Sequence, residues 1–110
     1  MSSEVITLVL TTLGASADYD RFARTLVDER LAACVNVLPP MRSTYRWKGT
    51  VEQDDERQVV IKTTADRVEA LRARVGELHP YELPEFIVLA VADGDRGYLD
   101  WIRESVATSN

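Results

Sequence analysis

The chain has 110 residues, 45% of them hydrophobic and 28% charged, which suits one globular domain over residues 1–110 and is too little for two independent cores. Thirteen basic against eighteen acidic side chains give a formal charge of -5 and a pI near 4.8, leaving no positive excess to neutralise nucleic-acid phosphates or an anionic membrane. The single cysteine, Cys34, excludes an internal disulfide, and no segment reaches the roughly 18 apolar residues that span a bilayer. Met1-Ser2-Ser3-Glu4 lacks the basic-then-apolar layout of a secretory leader, so a cytoplasmic location is expected.

Val5-Ile6-Thr7-Leu8-Val9-Leu10 is a short β-branched run that predicts a buried strand, with Gly14 and Ser16 marking its exit turn. Tyr19, Phe22, Ala23, Leu26 and Val27 follow at helical spacing, with Asp18 and Asp20 near the amino end, where negative charge suits the helix dipole; the helix is expected to run on through Arg30 to Leu31. Cys34-Val35-Asn36-Val37-Leu38 returns to strand character until Pro39-Pro40, where a bend is expected because proline supplies no amide donor. Thr44-Tyr45-Arg46-Trp47-Lys48, a turn at Gly49, and the climb from Val51 to Ile61-Lys62-Thr63 read as one long hairpin. Thr64 or Asp66 is expected to cap a second helix with Val68, Leu71, Val75 and Leu78 inward. Phe86–Val91 is the last core strand, and a final helix should turn Tyr98, Leu99, Ile102 and Val106 inward.

Strand, helix, strand, strand, helix, strand is the order of the α+β ferredoxin-like fold, βαββαβ, here with an extra carboxyl-terminal helix and a long hairpin between the second and third strands. Right-handed crossovers place both helices on one face of an antiparallel sheet. The other face is left open, and alternating Val35, Val37, Val59 and Ile61 are expected to line it and to need a partner surface. A hairpin strand of about 13 residues at roughly 3.3 Å each spans about 43 Å, so its tip, with Tyr45 and Trp47, should overhang the domain and favour self-association.

The segment His79-Pro80-Tyr81-Glu82-Leu83-Pro84-Glu85-Phe86 concentrates polar chemistry in a turn stiffened by two prolines. His79 sits where an imidazole can serve the carboxyl end of the second helix. Cys34 opens an apolar strand and reads as a packed thiol. Tyr45 and Trp47 share a strand face and read as interface residues. Glu52-Gln53-Asp54-Asp55-Glu56 reads as a solvated stretch of hairpin. One histidine, one cysteine and scattered serines assemble no nucleophile, base and orienting group, and no phosphate-binding glycine loop is present, so no enzymatic activity is expected.

Four motifs in order, Leu31-Ala32-Ala33-Cys34-Val35-Asn36-Val37, Ser43-Thr44-Tyr45-Arg46-Trp47-Lys48-Gly49 with Glu52, Ile61-Lys62-Thr63, and His79-Pro80-Tyr81-Glu82 with Pro84-Glu85, resemble the CutA family of divalent-cation-tolerance proteins from Val5 to Ile102. The resemblance implies a trimer built like the PII signal-transduction proteins, associated with tolerance to copper and other divalent metals. A closed tetrahedral metal site needs about four nitrogen or sulfur ligands, so one chain supplies no strong site. A trimer could bring His79, Glu82 and Glu85 of one subunit near carboxylates of another and hold copper(II) or another divalent cation weakly, with no metal required for folding. Where some family members carry a first-strand cysteine considered as a metal ligand, this chain has Thr11. The alternative implied by the PII-like architecture is a cleft between subunits, lined by Tyr45, Trp47, Lys62 and Tyr81 and assisted by Arg46 and Lys48, that binds a small anionic metabolite or an unidentified protein partner.

Overall fold

Two strands of the computed structural model dominate its shape, which measures 48 × 26 × 23 Å over residues 4–108, the described part of the chain. Residues 1–3, read above for a leader, lie outside it. The elements are β1 (Ile6–Gly14), α1 (Tyr19–Asp28), β2 (Cys34–Trp47), β3 (Thr50–Thr64), α2 (Val68–Leu78), β4 (Ile87–Ala90) and α3 (Arg96–Val106). The sheet order is β2-β3-β1-β4, antiparallel at every pairing, which is the ferredoxin-like order with the added terminal helix. Lys48 and Gly49 both take positive φ, 50° and 83°, and form the tight two-residue loop that matches the twist of the strands it joins.

The prolines do not end β2. Val37 opposes Val59, but Pro40 opposes Arg57, so β2 carries one extra residue across a bulge and then continues to Trp47. That residue reverses which side chains face which way. Before the bulge, Val35 and Val37 share a face with Val59 and Ile61; after it, Met41, Ser43 and Tyr45 share the opposite face with Glu56, Asp54 and Glu52.

Val35, Val37, Val59 and Ile61 therefore line the helix-covered face, contrary to expectation. Val59 and Ile61 are fully buried with Val9, Leu13, Phe22, Leu26, Leu71 and Val75, while Val35 and Val37 pack at the margin of this core. Both faces of the inner strands are apolar, so alternation identified two sets without revealing which one the helices cover. Burying each of the large aliphatic side chains contributes roughly 1.5–3 kcal/mol. The other face, with Leu8, Leu10 and Val60, is partly covered at one end by α3, whose Ile102 and Val106 pack on Ile6 and Ala33. Tyr98 does not turn inward. It stays 43% exposed, its ring 5.4 Å from that of Trp101 and its hydroxyl 3.0 Å from Lys62 Nζ.

Helix ends also differ from the sequence reading. α1 begins where Asp18 accepts from the Arg21 amide at 3.0 Å, but it stops at Asp28, short of Leu31. Arg30 adopts φ 59°, the Arg30 amide donates to Val27 O, and the Leu31 amide reaches back to Leu26 O at 3.0 Å, the paired bonds of a Schellman cap. Neither Thr64 nor Asp66 caps α2. A single turn, Ala65–Arg67, intervenes without a side-chain cap, and the Thr64 hydroxyl is spent on the Asp66 carboxylate.

Thr11 is wholly buried on the helix face, and its Oγ1 has no hydrogen-bond partner among the described residues. A hydroxyl desolvated without a partner opposes folding. Thr11→Val is expected to raise stability by about 1 kcal/mol, read as a higher urea midpoint with an unchanged slope; an equal or lower midpoint would show that the hydroxyl is satisfied.

A candidate ligand groove between the hairpin and the His79 turn

Because the bulge sends the odd residues of outer β2 to the open face, Met41, Tyr45 and Trp47 stand beside Asp54 and Glu56 of β3. The segment Tyr81–Ile87 crosses this face on its way into β4 and closes a groove of about 1020 Å³. Three latches hold that segment. His79 ends α2, its backbone amide donating to Val75 O at 2.8 Å. Its ring accepts the Tyr81 amide at Nδ1, 3.1 Å, which leaves the proton on Nε2 to donate to Thr12 O of β1 at 2.6 Å. The Tyr81 hydroxyl donates to Glu56 Oε2 at 3.0 Å, in the space left by Gly14, which has no side chain opposite Glu56. Gln58 Nε2 donates both to Thr11 O at 2.7 Å and to Glu85 Oε2 at 2.9 Å.

His79 is buried and uses both ring nitrogens within the chain, so it ties the helix end to β1 instead of serving the helix dipole with its ring. Glu82 and Glu85 line the groove with Tyr81, Tyr45 and Trp47; Lys62 does not, and instead donates to Tyr98 near α3. Among the described residues no three His, Cys, Asp or Glu side chains gather as a metal-holding group. Thr11, facing the core, stands at no surface where a cation could reach it.

The acidic run is only partly the solvated stretch expected. Asp54 and Asp55 are exposed, Asp55 meeting Arg42 at 3.5 Å on the reverse face, whereas Glu56 is 7% exposed beneath Tyr81. Glu56, Asp54 and Gln58 are among the groove residues that sequence reasoning missed. Their two-residue spacing continues the Val60 face and was the available signal.

Carboxylates set the electrostatics here. Burial, then the hydrogen bond to Glu56, pushes the Tyr81 phenol up to about 12 from 10.0. The hydrogen bond to Asp54 does the same for Tyr45, also to about 12. No Lys or Arg lines the groove. Cations stand just outside it, Arg42 Nε 3.5 Å from the lining Asp55 carboxylate, Lys48 Nζ 5.6 Å from the Trp47 centroid and Arg72 4.8 Å from that of Phe86.

The chain is a ferredoxin-like α+β protein whose open sheet face and turn enclose an acidic, aromatic groove. Residues 7–105 match the model of the family described as CutA1 divalent ion tolerance protein, and the chain belongs to that family. A divalent-cation tolerance protein CutA of Thermus thermophilus is 46% identical over 98 residues, 89% of this chain and 95% of the relative. The solved structure of the divalent cation tolerance protein from Thermus thermophilus superposes with a TM-score of 0.89 at 44% identity, covering 93% of this chain and 99% of that one. CutA from Xylella fastidiosa does so with a TM-score of 0.88 at 43% identity, over 93% and 98% of the two chains.

Removing the imidazole leaves Thr12 O buried without its donor. His79→Ala is expected to cost roughly 2–4 kcal/mol, measured by urea unfolding with and without EDTA; a loss that disappears in EDTA would make the ring a metal ligand. The raised phenols carry a pH dependence with a definite sign. The folded state keeps the Tyr81 proton where the unfolded chain has lost it, so this contribution is full below pH 10.0 and is lost as pH rises through about 12. Absorbance titration should show Tyr81 ionising near the upper value, moving down in Glu56→Gln; an unmoved titration would remove Glu56 as a cause.

Proposed function

We propose that this protein serves divalent-cation tolerance as a cytoplasmic homotrimer that binds a ligand and catalyses nothing. The observation that carries the reading is the groove of carboxylates without a lining cation, in a chain whose relatives are named for divalent-cation tolerance. Glu82 and Glu85 are the metal-facing groups in this reading, with carboxylates of a neighbouring subunit completing a weak site for copper(II) or another divalent cation. His79 supports them by fixing the turn, and no metal is needed for folding. One chain alone offers oxygen donors too dispersed for a closed site, which fits modest affinity.

Trimer formation is supported by what the sheet leaves uncovered. Ile87, Val88 and Leu89 of the edge strand β4 are all exposed, and β2 forms the opposite edge. Two unlike edges that meet head to tail generate a ring when the rotation between subunits closes. Among the described residues no helix is long and apolar enough to cross a membrane, and the acidic balance argues against a nucleic-acid partner. A small anionic metabolite is the weaker reading, because the groove presents carboxylates and Lys62 is engaged elsewhere.

Sedimentation should give the mass of three chains, and a single-chain mass at micromolar concentration would dispose of the ring. Calorimetric titration with copper(II) and zinc(II) in a non-chelating buffer should saturate at a whole-number ratio per trimer and weaken in Glu82→Gln with Glu85→Gln. Non-stoichiometric heat that ignores both substitutions would sink the metal reading.

A further inference from the structure

We draw no further inference here: the strongest candidate, the side-chain cluster of Cys34 and Lys62, paired across β2 and β3, with Tyr98 of α3, rests on a lone cysteine beside an ammonium already given to the Tyr98 hydroxyl, and no second feature among the described residues points to a ligand there.

Discussion

One inserted residue at Val37/Pro40 organises the rest of the molecule. A β-strand alternates its side chains strictly, so a strand without the bulge would carry its inner-half parity out to the tip. Val35 and Val37 would still meet the core, but Tyr45 and Trp47 would point away from Asp54 and Glu56. Proline tolerates this position because β2 is an edge strand and a bulge leaves ladder positions unpaired. The bend expected at Pro39-Pro40 is thus real in its physical cause and different in its consequence, since the strand continues with its faces exchanged.

The groove depends on that exchange and on a second constraint, the docking of the turn. Residues 79–86 form no regular structure, yet side chains connect them to β1 and β3 at His79, Tyr81 and Glu85. Every one of these bonds uses a group that would be costly to desolvate alone. The lone histidine, which attracts attention as a ligand, is spent on this architecture. The less conspicuous Glu56 is buried with it, its Oε2 holding the Tyr81 hydroxyl.

Much of the fold was legible because local chemistry and tertiary placement agreed. Phe22 and Leu26, with Leu71 and Val75, fall at helical spacing and bury together; Lys48-Gly49 closes the hairpin where a turn was expected. Misreadings arose where an alternative local pattern was equally allowed. Arg30 takes the left-handed conformation usually supplied by glycine, so the stop of α1 carried no residue signal, and the tertiary bonds Arg30 makes to Ser105 O and receives from Arg67 accompany it. Tyr98 lies on the margin of the α3 stripe, where its hydroxyl finds Lys62 instead of the core.

The sequence by itself determined the order of elements, the ferredoxin-like class and the family, because periodicity, proline and glycine chemistry and motif order are properties of the chain read in one dimension. Only the tertiary structure decided which apolar face the helices cover, that β2 reverses its faces, that Lys62 stands away from Tyr45 and Trp47, and that Glu56 is buried beside Tyr81. Those facts depend on register between segments distant in sequence. A shift of one residue changes every contact across a sheet while leaving each segment's own pattern intact.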